Sequence, residues 1–320
     1  MKPLTIIIPN YNGAHLLERN MPSVINAAGQ YSGTVSFLVV DDGSADTSLE
    51  VLRERFPEVA VVIHEKNLGF AEAVATGVRC AETELLFLLN SDVELHTGCL
   101  ERLEPYFDDE NTFSACPLML EEDGSINRHS WNLRSFSRGY LKLVDWNIDR
   151  ARSMRDQHLL PTLYSSGGSM MVSRAKFLAL GGFHPLYKPF YGEDFDLGLR
   201  AWYRGWASYF EPGATLVHQS KGSIKDNFKR ARVKQIRRRN RYFIEWAHTP
   251  LPRLLGSTLP YSLLQLLGEI LLLDLVNLKG FAGALAGLPR VIEARRALDV
   301  GRIMTLDQTV EKVLGAYPST

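Results

Sequence analysis

The feature that most constrains this chain is a regular alternation of short apolar runs with amphipathic stretches before residue 90. The apolar runs predict strands at residues 4–9, 35–40, 59–65 and 85–89. Helical periodicity between them predicts helices at residues 14–28, 47–56 and 70–81. Because strands alternate with helices, we expect an α/β fold with a mostly parallel central sheet and helices on both faces.

Three of the predicted strands end in clusters of polar residues. The clusters are PNYN at residues 9–12, DDGS at 41–44 and NSD at 90–92. In open α/β sheets, ligands bind outside the carboxyl ends of the strands. The sequence therefore predicts that the three clusters form one shared binding site.

The two clusters with carboxylates have a structural and a functional interpretation. Asp, Gly and Ser are common in turns and helix caps, so residues 41–44 taken alone favour a capped turn. Carboxylates at a strand end can also accept hydrogen bonds from a nucleobase N–H or a ribose hydroxyl. A carboxylate in residues 90–94 can hold Mg²⁺ or Mn²⁺, because hard cations prefer oxygen ligands. A capped turn accounts for that segment equally well.

A further acidic segment, YGEDFD at residues 191–196, places three carboxylates among aromatic residues. Apolar surroundings and neighbouring negative charge both raise a carboxylate pKa toward the value that a general base needs. A solvated acidic turn at a helix start is the structural alternative. The aromatic neighbours favour the catalytic interpretation. His218 follows a predicted strand at residues 214–217 and gains a functional role only if Asp92 holds a metal.

Composition narrows the class of partner and the compartment. Lys and Arg together number 36, as do Asp and Glu, so net charge does not indicate a nucleic-acid partner. The three cysteines form no Cys-x-x-Cys pair, which argues against a zinc site or a disulfide framework. The first residues lack the long apolar run of a signal peptide. These features predict a cytoplasmic protein.

The later part of the chain has a weaker pattern, and we divide it at residue 220. Residues 101–163 are expected to form loops with short strands, and residues 165–218 form a second ordered block. Residues 226–246 are basic and predict a helix, while residues 251–288 are strongly apolar. Glu269 and Asp274 argue against a membrane-spanning helix.

The region from 221 to 320 is therefore expected to be helical and to have one of three locations. It lies on a membrane surface, packs against the first domain, or joins a second subunit in a homo-oligomer. Its basic stretch suits anionic lipid head groups or the diphosphate of a lipid carrier. A solvated basic helix is an equally good interpretation of the same stretch.

Taken in order, the motifs resemble those of the family 2 glycosyltransferases, which have the GT-A fold. The matching segments are residues 9–12, 40–44, 67–70, 90–92 and 192–194. Each motif is weak alone, but their family order and family spacing make a strong signal. The resemblance covers residues 4–220, and LNSDVE at 89–94 is similar to the metal strand of bacterial rhamnosyltransferase-type enzymes.

The resemblance implies a donor-binding half at about residues 1–100 and an acceptor-binding half at about 101–220. On the donor side it implies nucleotide contacts for Pro9, Tyr11, Asp42, Asn67, Gly69, Asn90 and Ser91. It implies Asp92 and His218 as ligands of Mg²⁺ or Mn²⁺, and Asp194 as the catalytic base. On the acceptor side it implies roles for Gly168, Tyr191 and Glu193.

Two departures from the family pattern refine this expectation. Asn90 stands at the first position of the family's Asp-x-Asp motif, which leaves Asp92 as the carboxylate of that motif. The Gln-x-x-Arg-Trp signature of processive members is absent from the sequence. We therefore expect transfer of one sugar at a time.

The expected activity is inverting transfer of a sugar from a dTDP-, UDP- or GDP-linked donor to an acceptor hydroxyl. The acceptor would be a saccharide or a lipid-linked saccharide of bacterial surface-polysaccharide or glycolipid assembly, used in the cytoplasm or at the inner face of the cytoplasmic membrane. A catalytically silent nucleotide-sugar-binding protein of the same fold is the alternative. A sugar-phosphate nucleotidyltransferase is disfavoured, because no Gly-rich loop follows the first strand.

Overall fold

The computed structural model describes residues 1–219 and 229–317. Its strands are β1 (Leu4–Asn10), β2 (Val35–Asp41), β3 (Ala60–Ile63), β4 (Leu85–Leu89), β5 (Val93–Leu95), β6 (Thr112–Glu121), β7 (Arg134–Ser137), β8 (Tyr140–Leu143), β9 (Leu160–Pro161), β10 (Ser169–Ser173) and β11 (Ala207–His218). Its helices before the undescribed segment are α1 (Ala14–Gln30), α2 (Ser48–Arg55), α3 (Phe70–Cys80), α4 (Cys99–Leu103), α5 (Ile148–Arg155), α6 (Arg174–Ala179) and α7 (Glu193–Tyr203). Those after it are α8 (Arg230–His248), α9 (Leu251–Leu271), α10 (Leu275–Ala286), α11 (Leu288–Ala297) and α12 (Leu306–Gly315).

The elements expected before residue 90 are all present, with small differences at their ends. The strands form because nearly every residue of β1 and β4 is buried on both faces, as in Leu4, Ile7 and Phe87. Such continuous apolar runs are typical of a parallel sheet covered on both sides. β1 pairs in parallel with β2 and β4, and β2 pairs in parallel with β3.

The central sheet has the order β3-β2-β1-β4-β10-β6-β11-β5, and β9 pairs with β11. The four N-terminal strands, β6 and β11 point the same way, so the predicted mostly parallel sheet is confirmed. β10 lies antiparallel between β4 and β6. Ser169 at the start of β10 is therefore opposite Leu89 at the end of β4, which brings the loop before β10 to the ligand-binding edge.

The expectation of loops with only short strands at residues 101–163 is wrong. β6 has ten residues and lies near the centre of the sheet. Ser114 and Pro117 obscured its pattern. Ser114 is buried and its hydroxyl lies 2.8 Å from the Ser165 hydroxyl and 2.9 Å from that of Ser208. Pro117 lies where the β6–β11 register is irregular, which is where a sheet tolerates a residue without an N–H.

The C-terminal helices share their core with the sheet. The predicted helix at residues 226–246 is observed as α8, while its first three residues and the basic Lys221 and Lys225 lie outside the described residues. Phe243 of α8 and Val313 of α12 belong to the same buried cluster as Trp131 and Trp202.

In the described part of the chain, one helix, α9, is long and apolar enough to cross a membrane, and α10 and α11 together pass the same test but are bent by 58°. Only 22% of the tested stretch of α9 is buried. Glu269, which interrupts the apolar run in the sequence, is buried and paired with Arg238 of α8. The outer side of this region carries exposed apolar side chains: Leu255, Leu263, Leu264, Leu267, Ile270, Leu271, Leu272 and Leu273.

Candidate active site

The carboxyl ends of β1 and β2 carry three buried polar residues, Asn10, Asp41 and Asp42, which we call the strand-end cluster. The Asn10 amide donates to Asp41 Oδ2 at 3.0 Å, and the Ser44 backbone N–H donates to Asp41 Oδ1 at 2.9 Å. Asp41 therefore fixes the turn that follows β2 and ties it to β1.

Asp42 anchors the loop that leads into α3. Its two carboxylate oxygens accept the backbone N–H groups of Leu68 at 2.9 Å and Gly69 at 2.8 Å. His64 Nδ1 lies 2.7 Å from Asp42 Oδ1, and its other ring nitrogen lies 3.0 Å from the Thr76 hydroxyl. His64 directly follows β3, and we did not predict its contact with the strand-end cluster.

Other residues implied by the resemblance lie around this cluster. Pro9 is in β1, half-buried Tyr11 follows it, and exposed Asn67 immediately precedes the two amides that Asp42 holds. Asn12 adopts a φ of 50°, its N–H donates to Ser44 Oγ at 2.9 Å, and its side-chain oxygen accepts the Ala45 N–H at 2.8 Å. The loops after β1 and β2 thus form one hydrogen-bonded surface.

The third polar cluster lies beside the first two. A Cβ at Gly13 would lie 2.3 Å from Asn10 Oδ1 and 3.5 Å from Ser91 Oγ, so Gly13 lets the loops after β1 and β4 approach closely. Asn20 of α1 donates to the Ser91 carbonyl at 2.8 Å. The expected meeting of the three clusters at one edge of the sheet is observed.

Asn90 contacts the loop before β10. Its backbone N–H donates to the Gly168 carbonyl at 2.9 Å. A Cβ at Gly168 would lie 2.4 Å from Asn90 Nδ2, so a larger residue would displace the Asn90 side chain. The antiparallel insertion of β10 therefore joins residues 90–92 to the loop before β10.

Asp92 and His218 face each other across β5 and β11. His218 Nε2 lies 3.7 Å from Asp92 Oδ2, and the Gln219 backbone N–H donates to the Asp92 carbonyl at 2.9 Å. One carboxylate and one imidazole are suitable ligands for Mn²⁺. Residues 1–219 and 229–317 contain no cluster of three or more His, Cys, Asp or Glu placed to hold a metal. A metal here would therefore need further ligands from substrate and water, which is usual for Mg²⁺ with nucleotide phosphates.

Glu193 and Asp194 begin α7. Asp194 Oδ1 accepts the Phe195 N–H at 2.8 Å, and Oδ2 accepts the Gly167 N–H at 3.4 Å. Burial raises the pKa of Asp194 above its ordinary value although these hydrogen bonds oppose it. Burial and then the charge of Asp194 raise the pKa of Glu193 to about 8. A raised pKa brings Asp194 closer to the range of a general base.

Asp196, from the same acidic segment, is held in a buried network. Its carboxylate lies 2.7 Å from Arg200 Nε and 3.0 Å from His248 Nε2, and it accepts the Tyr187 hydroxyl at 3.2 Å. Burial works against its charge, but Arg200 and His248 prevail and hold the pKa of Asp196 far below the usual range. Asp196 therefore fixes α7 against α8 and is unsuited to proton transfer at neutral pH.

Asn240 of α8 holds the loop before α7. Its amide donates to the carbonyls of Tyr187 at 2.8 Å, Phe190 at 3.0 Å and Tyr191 at 2.7 Å. Tyr191 has a φ of 71°, and the Arg237 guanidinium lies 4.2 Å from the centre of its ring. Sequence motifs gave no indication of Asn240, because its partners lie about fifty residues earlier in the chain.

A cavity of about 700 Å³ connects several of these groups. Of the residues implied by the resemblance, it is lined by Asn90, Gly168, Tyr191, Asp194 and His218. Its other charged or titratable lining residues are His129, Arg134, Lys142, Tyr164, Arg237, Arg241 and Glu245. The strand-end cluster, Asn67, Gly69, Ser91, Asp92 and Glu193 do not line it.

Comparison with known proteins gives the family. Residues 5–181, more than half of the chain, match the model of Glycosyl transferase family 2. A curated relative, N-acetylglucosaminyl-diphospho-decaprenol L-rhamnosyltransferase of Mycobacterium tuberculosis, is 27% identical over 235 residues, which are 67% of this chain and 75% of that protein. Chondroitin synthase of Pasteurella multocida is 24% identical over 243 residues, which are 68% of this chain and 24% of that protein.

Two solved structures share the fold. GalNAc-T7 with UDP, GalNAc and Mn²⁺ superposes with a TM-score of 0.60 at 19% identity, over 78% of this chain and 48% of that chain. The mannosyltransferase PcManGT from Pyrobaculum calidifontis, in complex with GDP-Man and Mn²⁺, gives a TM-score of 0.52 at 16% identity, over 98% of this chain and 79% of that chain. The expected GT-A fold and the resemblance to bacterial rhamnosyltransferase-type enzymes are confirmed. The chain belongs to glycosyl transferase family 2 and is a glycosyltransferase.

Proposed function

We propose that this enzyme transfers one sugar residue from a nucleotide-sugar to an acceptor hydroxyl with inversion at the anomeric carbon, and that Asp194 is the base. The observation that carries this proposal is the position of Asp194. It lies in the wall of the cavity that also contacts Asn90, Gly168 and His218, and burial raises its pKa. A hydroxyl bound in the cavity can therefore reach a carboxylate next to the donor side of the site.

In the proposed reaction, the acceptor hydroxyl donates a hydrogen bond to Asp194. Asp194 takes the proton as the hydroxyl oxygen attacks the anomeric carbon and the bond from that carbon to the diphosphate breaks on the opposite face. The Phe195 and Gly167 N–H groups orient the carboxylate. General-base action of this kind typically contributes about a hundred- to ten-thousand-fold in rate.

The donor nucleotide is proposed to bind over the strand-end cluster. Tyr11 and the backbone near Pro9 would flank the base, and Asp42 with the Asn67–Gly69 loop would contact the base or ribose. Asn90 and Ser91 would lie toward the diphosphate. Asp92 and His218 would hold a Mg²⁺ or Mn²⁺ ion, which stabilises the negative charge of a departing diphosphate. The two solved structures of the same fold contain Mn²⁺.

The acceptor is proposed to be a saccharide or a lipid-linked saccharide of bacterial surface-polysaccharide or glycolipid assembly, with Gly168, Tyr191 and Glu193 on its side of the site. The mycobacterial relative is named for an acceptor with a diphospho-decaprenol group and for rhamnose transfer. The exposed apolar side chains of α9 support a location at the inner face of the cytoplasmic membrane. The same face also suits contact between subunits.

The experiment that tests this proposal has two stages. A thermal-shift screen of UDP-, dTDP- and GDP-sugars with Mn²⁺ or Mg²⁺ identifies the donor through ligand stabilisation of the folded state. Incubation with that donor and a membrane extract should then release the nucleoside diphosphate and label an acceptor. If a nucleotide-sugar binds but is neither transferred nor hydrolysed in the presence of the metal, the catalytically silent alternative is favoured. Failure of every nucleotide-sugar to bind would contradict both interpretations.

A further inference from the structure

The cavity beside Asp194 has an unbalanced charge. Four cationic side chains line it: Arg134, Lys142, Arg237 and Arg241. Among residues 1–219 and 229–317, none of them forms an ion pair with a carboxylate within 4.0 Å. A cation facing a cavity without a counter-ion is a favourable place for an anionic ligand.

Three nearby cations outside the cavity lining do have carboxylate partners. Arg238, on the same helix as Arg237, pairs with Glu269, and Lys234 lies 3.0 Å from Asp274. Arg253 lies 2.8 Å from Asp307. The four cavity cations differ from these three, although Arg230 and Arg232 of α8 also form no ion pair in the described part of the chain.

Aromatic groups hold three of the cavity cations in place. Arg134 donates to the Tyr164 hydroxyl at 2.8 Å and lies 4.7 Å from the centre of the Phe195 ring. Its buried Nε has no hydrogen-bond partner in the described part of the chain. Fixed guanidinium groups with free N–H donors suit phosphate oxygens, because the planar fork can bind two of them at once.

Arg237 and Arg241 are positioned in a similar way on α8. Arg237 donates to the Tyr191 hydroxyl at 2.9 Å. Arg241 lies 3.9 Å from the centre of the Tyr140 ring. These ring contacts order both side chains without a carboxylate within 4.0 Å, although the Arg241 charge does act on Glu245, whose pKa burial raises and Arg241 lowers.

The cavity also has two carboxylates, Asp194 and Glu245. Glu245 is buried and accepts the Leu141 N–H at 3.0 Å and the Thr249 hydroxyl at 3.2 Å. Burial raises the pKa of Glu245 to about 7, so it is only partly charged at neutral pH. With both carboxylates ionised, the four cations still leave the cavity positive.

Packed side chains connect Arg241 to the helix that carries the apolar surface. The Tyr140 ring under Arg241 also lies 5.9 Å from the Tyr261 ring of α9, and its hydroxyl lies 2.6 Å from Ser262 Oγ. Farther along α9, the side chains of Leu263, Leu264 and Leu267 are exposed. A ligand with phosphate and lipid parts could contact both surfaces at once.

We propose that Arg134, Lys142, Arg237 and Arg241 form an acceptor-phosphate site, which binds the diphosphate that links the acceptor sugar to a lipid. This site rests on the proposed function, since it places the sugar hydroxyl at Asp194. The lipid chain leaves the cavity and runs along the exposed leucines of α9. The cations therefore select acceptors that carry phosphate over neutral saccharides.

Binding of farnesyl diphosphate, compared with farnesol, tests this site by titration calorimetry on the full chain below the aggregation concentration of both probes. Wild type should bind the diphosphate at least tenfold more tightly than the alcohol. The R237Q/R241Q variant should lose at least tenfold in affinity for the diphosphate. The matched control R230Q/R232Q has the same charge change on exposed positions of the same helix outside the cavity lining and should stay within twofold of wild type.

A second variant and a competition arm complete the test. Exposed Lys142→Gln should weaken diphosphate binding by about two- to fivefold, because it removes one positive charge that neutralises the phosphates. A saturating nucleoside diphosphate with Mn²⁺ should leave farnesyl diphosphate binding within twofold. Displacement by the nucleotide would assign the cations to the donor diphosphate, and equal affinity of R237Q/R241Q and wild type would overturn the site altogether.

The proposed function fails in a different measurement. If wild type bound no nucleotide-sugar in the thermal-shift screen, the donor assignment would be wrong whatever the farnesyl diphosphate result. If R237Q/R241Q kept the wild-type nucleotide response and bound farnesyl diphosphate as wild type does, the enzyme assignment would stand and only the acceptor-phosphate site would fall.

Discussion

The strand-end cluster and the start of α7 both contain paired carboxylates, but the two pairs have different surroundings. Asp41 and Asp42 accept hydrogen bonds from backbone N–H groups of the adjacent loops, and Asp41 also accepts one from the Asn10 amide. These carboxylates therefore hold the loops in place. Glu193 is buried and Asp194 is partly buried, and burial raises the pKa of both. Paired carboxylates thus position loops in the strand-end cluster, while the pair at the start of α7 has raised pKa values.

The largest expected effect concerns Asp194, and it tests the reactive side of this comparison. Asp194→Asn should lower kcat by about a hundred- to ten-thousand-fold, because an amide cannot take the acceptor proton. Nucleotide affinity should change little. Steady-state rates with the identified donor measure this, and exposed Asp299→Asn is the matched control. Wild-type turnover in D194N would remove Asp194 from the role of base.

The pH dependence of the rate follows from the same residue. Asp194 must be deprotonated to act, and burial raises its pKa above the ordinary value of an aspartate. The rate should therefore fall as the pH drops through a value above about 4. If the rate fell only at or below pH 4, the pKa of Asp194 would not be raised in the working enzyme.

The next largest effect separates Asp196 from its neighbour Asp194. Asp196→Asn should lower the free energy of unfolding by about 3–5 kcal/mol, because it leaves the Arg200 guanidinium without its buried counter-charge. The pKa of Asp196 is depressed, so its stabilisation is present above about pH 4 and is lost as the pH falls below that. Urea unfolding measures both. A loss of rate without a loss of stability in D196N would indicate that Asp196 acts in catalysis and not in holding the fold.

The metal ligands are expected to give an intermediate effect. Asp92→Ala should weaken Mn²⁺-dependent nucleotide binding by about ten- to a hundredfold, since the carboxylate provides the negative ligand, and His218→Ala by less. EDTA should lower the affinity of wild type toward that of D92A. Titration of the nucleoside diphosphate with and without Mn²⁺ measures this. Equal affinities in D92A and wild type would place the metal elsewhere.

The smallest effect tests the positioning side of the comparison. Asp42→Asn should lower the free energy of unfolding by about 1–3 kcal/mol, because an amide nitrogen would face one of the N–H donors of Leu68 and Gly69. Urea unfolding of the protein without nucleotide measures this, and Asp145→Asn is an exposed control. Unchanged stability would mean that Asp42 does not stabilise the loop before α3, which would leave binding of the donor nucleotide as its role.

The region before residue 90 could be predicted from the sequence because its information is local. β1 and β4 are continuous apolar runs, and each polar cluster directly follows its strand. β6 was missed since Ser114 and Pro117 interrupt its apolar run, and both are explained only by partners far along the chain.

The cavity was predicted only in part for the same reason. Asp194 and Tyr191 stand in a recognisable motif, but Arg134 lies in a hairpin without one. Asn240 reaches back about fifty residues to hold the loop before α7. Contacts of this kind depend on how β7, α7 and α8 pack, which no short motif records.

The ion pair between Arg238 and Glu269 has a consequence for how the C-terminal helices can be studied. Deleting residues 251–320 would remove Glu269 and leave the buried Arg238 without its counter-charge. It would also strip Leu306, Val310 and Val313 from the main core. These helices are therefore not a detachable anchor. Whether α9 adheres to lipid is better decided by replacing its outward leucines one at a time in the intact chain.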